Sequence, residues 1–311
     1  MNPAPAGAAA GPAAGAQLSI AAFATLLLIA LMMGANHVAA RLAFNHGVDV
    51  ATAVTFRSAV TALVVGLILI VNRVPVRLTG RHKRALPAIG LLIGIQSLCL
   101  YSAVARLPVA LALLAFNTYP LWTALWARVV YQHKPERRVV LAMPVMLIGL
   151  ALALDVFAAA SGLSAAEHWR EIGIGVAFAL VAAATFGLAL VWTQHEAGDL
   201  DGRLRTASTM GIVGVMALAG VATQGGFHFP TAPIGWVGLA ALTFLYGTAF
   251  TIMFTVLPKL GVVGNTAIMN IEPIFALALA WAILGQTIAA IQVAGGLLVV
   301  ATVMFLGLRK R

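Results

Sequence analysis

Asn117-Thr118-Tyr119-Pro120 and Asn270-Ile271-Glu272-Pro273 share one pattern, an asparagine three residues before a proline, and they stand 153 residues apart. The same shift pairs Gly34 with Gly187, Gly94 with Gly247, Arg106 with Lys259 and Leu107 with Leu260. One ungapped offset that holds across nearly all of a 311-residue chain reads as two copies of one unit, with a working site between them. Each tetrapeptide lies near the middle of a long apolar run. Proline removes a backbone donor and clashes with the carbonyl one turn back, so a helix bends at each place.

Composition sets the solvent. The chain is 62% hydrophobic and 9% charged, with mean hydropathy +1.00, against about 25% charged residues in a soluble domain. That is a membrane protein. The single cysteine, Cys99, lies in an apolar run and cannot form an intramolecular disulfide, so it says nothing about redox compartment. Residues 1–17 are rich in Ala, Pro and Gly and hold no Lys or Arg. A secretory signal needs a basic start, so this stretch reads as a disordered tail.

Ten apolar runs are long enough to span a bilayer, at roughly 20 residues each: 18–43, 50–72, 85–105, 108–131, 138–157, 172–194, 205–224, 234–257, 260–284 and 288–308. Continuous runs of this length exclude barrel strands of about ten alternating residues. The predicted fold is an all-α membrane protein of ten transmembrane helices. Its copies cover 18–157 and 172–308, with an outer connection at 158–171 and a basic C-terminus at 309–311.

Placing the N-terminus in the cytosol puts fifteen Lys and Arg residues on the inside, in segments around 73–84, 128–138, 203–205, 259 and 309–311. Only Arg41, Arg106 and Arg170 fall outside, and Arg57 lies within a helix. By the positive-inside rule both termini face the cytosol. The asymmetry also accounts for the net charge of +10 without nucleic acid. Five helices per copy is an odd number, so the second copy enters upside down. Inverted repeats are a common build of secondary transporters, with substrate bound near the midplane.

The chain resembles the drug/metabolite transporter superfamily, in its EamA-type ten-helix branch, over about residues 20–308. The resemblance rests on Gly34 late in helix 1, Arg57 early in helix 2, Pro120 in helix 4, Glu272-Pro273 in helix 9, Gly285 after it and Gly295 in helix 10. Met33 replaces the usual aromatic, Gln286 replaces a frequent acidic residue, and Asn36-His37 is more polar than in many members. The resemblance implies a multi-pass protein of the plasma (inner) membrane that exports amino acids, their derivatives, bases or drugs.

Candidate site residues follow from the cost of polarity in hydrocarbon. Glu272 lies mid-run, where an ionisable group costs at least about 2.5–3.5 kcal/mol. It reads as a substrate ligand and coupling group, or else as a structurally paired carboxylate. Arg57 reads as an anchor for an anionic group, a partner of Glu272, or a snorkelling cation; its repeat mate is Met210. His37, beside Asn36 on helix 1, could titrate near neutral pH or simply pack.

Asn117 and Asn270 either face a ligand or mend the backbone freed by proline. Residues two apart on an ideal helix point about 200° apart, so one of Asn117 and Tyr119, and one of Asn270 and Glu272, is expected to face the cavity. Trp122, Tyr101 and Tyr246 line that cavity or pack, and Gln96 and Trp192 are weaker candidates. His46, Asp49, Glu167, His168 and His228 read as solvated loop residues.

The chain has no H-E-x-x-H, G-x-S-x-G or P-loop, so an enzyme is disfavoured and no cofactor or metal is expected. A passive channel would favour a ring of like polar residues. The expected activity is that of a secondary transporter, an exporter of a small metabolite. The expected partners are substrate and membrane lipid, with no nucleic acid, and the chain acts as monomer or homodimer.

Overall fold

A computed structural model describes residues 20–134, 137–155, 165–256 and 266–307. Every regular element within them is helical. Helices α1 (Ile20–Phe44), α2 (Val50–Val71) and α3 (Gly80–Val104) are followed by α4 (Val109–Phe116) and α5 (Tyr119–Tyr131). Next come α6 (Arg137–Ala153), α7 (Ala165–Glu196), α8 (Gly202–Thr223) and α9 (Pro233–Thr255). A 3-10 helix (Thr266–Ile271) then leads into α10 (Glu272–Leu284), and α11 (Ala290–Gly307) closes the chain.

Seven stretches among the described residues are long and apolar enough to cross a membrane, one of them formed by α4 and α5 together. Three shorter apolar helices, Val140–Ala153, Ile268–Leu284 and Ala290–Phe305, complete the set. The expected tail at 1–17, the basic end at 309–311 and Lys259 lie outside the described residues. The outer connection expected at 158–171 is helical from Ala165 onward, where α7 begins.

Helix starts follow local chemistry. Asp49 caps α2 by accepting from the Thr52 amide at 2.8 Å, and Thr79 opens α3 with a reciprocal capping box to His82. The bends expected at the two prolines are interruptions of the α-helical hydrogen bonding, a two-residue turn before Pro120 and a 3-10 segment before Pro273. Pro120 has no amide to offer the Phe116 carbonyl. The Thr118 hydroxyl donates back to the Ala115 carbonyl at 2.8 Å, and the Leu121 amide reaches only to Thr118. So α4 stops at Phe116 and α5 starts at Tyr119. In the second copy the corresponding place is the junction of the 3-10 helix with α10.

The two copies match residue for residue around these breaks. Helices α5 and α10 are both 13 residues long and begin and end 153 residues apart. Each ends on a left-handed residue at the same relative place, Gln132 with φ 58° and Gly285 with φ 64°. Gly34 on α1 lies so close to α10 that a methyl there would meet the Glu272 carbonyl at 3.0 Å and the Ala276 amide at 3.1 Å. Its mate Gly187 on α7 meets the Thr123 amide at 2.8 Å and Trp122 Cβ at 2.9 Å. Thr123 is the repeat mate of Ala276, and Trp122 of Phe275.

Helix pairs follow the same exchange. α1 packs on α9 as α3 packs on α7, while α2 packs on α8 and α6 on α11, each its own mate. These self-paired helices run antiparallel. Gly220 sits over Ala51 while Gly214 sits nearer Ser58 and Ala59. On the other pair, Gly149 faces Val299 and Gly295 faces Ala153. Small residues permit the close approach that membrane helices need in the absence of a hydrophobic drive between them.

Candidate functional site

Between α1, α2, α3, α9 and α10 the apolar interior holds a row of polar side chains. Asn36 and His37 come from α1, Arg57 and Ser58 from α2, Gln96, Ser97 and Tyr101 from α3, Tyr246 from α9 and Glu272 from the first turn of α10. Glu272 sits at the start of α10 because the break at the 3-10 junction ends the preceding helix there. Its Oε1 lies 3.3 Å from His37 Nε2, with side-chain exposures of 23% and 4%. The carboxylate therefore faces inward onto α1 and occupies a helix N-terminus, where negative charge is favoured.

Arg57 is 2% exposed and does not snorkel. Its guanidinium lies between two tyrosine rings, 3.8 Å from the centroid of Tyr246 and 4.6 Å from that of Tyr101. It donates to Ser97 Oγ at 2.9 Å and to the Tyr101 hydroxyl at 3.4 Å. Tyr101 in turn donates to Asn36 Oδ1 at 2.8 Å, and the His37 ring rests on Tyr101 with centroids 5.4 Å apart. The row thus reads Glu272, His37, Tyr101, Arg57, Tyr246. Arg57 makes no ion pair with a carboxylate among the described residues, and Glu272 pairs with His37 instead.

Among the described residues, four buried polar atoms in this row have no hydrogen-bond partner: Asn36 Nδ2, His37 Nδ1, Arg57 Nε and Ser58 Oγ. Buried polar groups are nearly always bonded, and these orphans lie on adjoining residues.

Tyr119 and Asn270 meet across the two breaks. The Tyr119 hydroxyl donates to Asn270 Oδ1 at 3.1 Å. Both Asn270 and Glu272 are therefore engaged inside the bundle, although ideal helical spacing set them on different faces. Asn270 belongs to the 3-10 segment and Glu272 to α10, so the even 100° step does not run through them. Asn117 is buried within its break. Trp122 packs beside Gly187 on α7, and the Trp126 indole donates to the Ala184 carbonyl at 3.0 Å. These two tryptophans are placed against α7. Gln96 accepts from Ser97 Oγ at 3.3 Å, and Trp192 packs with Ala85 and Ile89.

The loop residues are less free than the sequence suggested. Asp49 caps α2 and also lies 2.8 Å from His228 Nδ1. His46 Nδ1 bonds the Leu42 carbonyl. Glu167 is exposed, and the side chain of His168 lies outside the described ones.

The site is one-sided. The mates of Asn36, His37, Arg57 and Gln96 are Ala189, Leu190, Met210 and Ala249. Glu272 corresponds to Tyr119, which packs with Phe116 and Phe186 at centroid distances of 5.7 and 5.2 Å. At this position the second copy contributes charge and the first aromatic surface, whereas at Arg57 the charge comes from the first copy. Elsewhere, an apolar groove of about 140 Å³ between α4, α10 and α11 is lined by residues such as Leu114, Pro273 and Leu277. It contains none of the candidate side chains.

Comparison with known proteins agrees with the doubled architecture. A family model described as the EamA-like transporter family matches residues 20–154 and again 173–308. A solved crystal structure, described only as that of a protein, aligns with a TM-score of 0.57 at 17% identity. It covers 91% of this chain and 95% of its own, a likeness of fold alone. No curated protein matches the chain.

Proposed function

The chain belongs to the EamA-like transporter family, and we propose that it moves a small organic metabolite, an amino acid or a derivative, outward across the plasma (inner) membrane by alternating access. In this reading it spans the bilayer ten times as two inverted five-helix copies with both termini in the cytosol. The antiparallel packing of α2 on α8 and of α6 on α11 supports the inversion, and the distribution of Lys and Arg supports the orientation.

The observation that carries the reading is Arg57, a buried cation with no ion-paired carboxylate among the described residues and with orphaned polar atoms around it. Guanidinium groups favour carboxylates because their planar donors match two oxygens. At the other end of the row, Glu272 suits an amine. Phe116, Tyr119 and Phe186 supply apolar surface next to Asn270. A proton and the substrate's amine would both claim the Glu272 carboxylate, so binding of one would oppose binding of the other, the sense of coupling that an exporter driven by a proton gradient needs.

The test is uptake of labelled amino acids into proteoliposomes, with and without a pH gradient. Saturable uptake that responds to the gradient is expected. Flux that rises linearly with concentration and shows no competition would overturn the carrier in favour of a passive path.

A further inference from the structure

Arg41, expected on the outer side at the end of the first run, lies within α1 one helical turn beyond His37, and it is half-buried. Its guanidinium reaches the turn between α3 and α4. It donates to the Val104 carbonyl at 2.8 Å and to the Leu107 carbonyl at 3.4 Å. The last carbonyls of a helix lack intrahelical partners and carry partial negative charge, so a cation here fastens the end of α3.

The other side of the same turn is held as firmly. The Val109 amide, orphaned at the start of α4, donates to Gln286 Oε1 at 3.1 Å. Leu107, at the tip, is 1% exposed. It is seated so tightly on α7 that a methyl on Gly175 would come within 2.6 Å of its Cγ. One short turn is therefore fastened by α1, by α7 and by the link from α10 to α11, the last two from the second copy. The neighbouring Arg106 stays exposed.

We propose that Arg41 is a positioning residue of the transport cycle, a clasp that holds the α3–α4 turn shut over the outer end of the site. The proposal rests on the carrier reading above. Its logic is the spacing on α1. His37 bonds Glu272 at the site, and Arg41, four residues on, bonds the turn. A ligand that draws His37 away from Glu272 moves the same helical face that holds the clasp. Opening toward the outside then means exchanging the Arg41 bonds for water and lifting Leu107 off Gly175.

Thiol labelling tests this without any substrate. In a Cys99→Ala background, Leu107→Cys reports the buried tip and Arg106→Cys serves as the exposed control. A membrane-impermeant maleimide is added to the outer face. With Arg41 present, Leu107→Cys should label slowly. Arg41→Ala should raise the rate about tenfold or more, the scale set by losing charge-assisted hydrogen bonds. Arg41→Lys, which can still cap carbonyls, should restore protection in part, with the unfolding midpoint unchanged. If Arg41→Ala does not fold, Gln286→Leu carries the same expectation. A labelling rate unmoved by either variant overturns the clasp, while the carrier reading stands or falls on uptake alone.

Discussion

His37 Nε2 and Glu272 Oε1 lie 3.3 Å apart and join the first helix of one copy to the broken helix of the other. Glu272 therefore pairs with His37 and not with Arg57. Glu272→Gln keeps the shape and one acceptor but cannot ionise. Uptake should fall at least about tenfold, in keeping with loss of a charged hydrogen bond, and its response to a pH gradient should vanish. Persistence of the gradient response in the variant would remove Glu272 from the coupling.

Arg57 invites replacement by the residue that occupies its place in the other copy. Arg57→Met should fold, because Met210 fills the mate position against Tyr246, with the tyrosine hydroxyl 3.8 Å from the sulfur. Binding of ligands that carry a carboxylate should weaken by about 10- to 100-fold. Their decarboxylated amines should be nearly unaffected. Calorimetry on matched pairs of amino acid and amine separates the two; equal losses for both would deny Arg57 the anionic group.

The close approaches at Gly34 and Gly187 are with backbone atoms, which cannot swing aside. Gly187→Ala should destabilise by about 1–3 kcal/mol, the range for overpacking, and Gly34→Ala somewhat less. A methyl on Gly211 would meet no neighbour within 4 Å, so Gly211→Ala should be neutral or stabilise by up to about 1 kcal/mol. Thermal unfolding in detergent gives the order. Equal effects at all three would contradict the packing.

The Tyr119–Asn270 bond ties the two breaks together. Tyr119→Phe and Asn270→Ala should each cost about 1 kcal/mol, and a double-mutant cycle should return a coupling of similar size. Additive losses would mean that the two residues do not sense one another.

On the cytosolic side of the proposed topology, Asp199 accepts from the His82 ring, with Arg81 also at 3.0 Å. The bond to His82, with the charges of His82 and Arg81 behind it, holds the Asp199 carboxyl below its ordinary value of 3.8. A lowered folded-state value adds stability that is present above the ordinary value and lost as pH falls through the lowered one. Asp199→Asn should therefore melt lower than the parent at neutral pH, and the gap should close below about pH 4. A gap that stays constant down to about pH 3 would place the effect elsewhere.

Much of this architecture was legible because membrane helices announce themselves. With no water in hydrocarbon, an apolar run must satisfy its own backbone. An ungapped offset then exposes the duplication. The prolines at 120 and 273 marked the two breaks, and Glu272, Arg57 and His37 stood out by the cost of their burial. The unread part is orientation around each axis. Arg41 reads only as an outer-side cation at the end of the first run, and its long flexible side chain turns back to the α3 carbonyls. Asn270 and Glu272 were set on different faces by a constant helical step, which the 3-10 segment interrupts. Trp122 brings its Cβ and backbone against Gly187 on α7, a close approach that its own sequence neighbourhood does not announce. Such placements depend on what the facing helix leaves empty, and that lies far away in sequence.

A molecule with perfect twofold exchange would open to either side at equal free energy, since each state would be the other turned over. Each copy carries one charge whose mate is neutral, Arg57 in the first and Glu272 in the second, and this removes that degeneracy. In the proposed carrier, the divergence of Arg57 from Met210 and of Glu272 from Tyr119 would give the empty protein a preferred resting side.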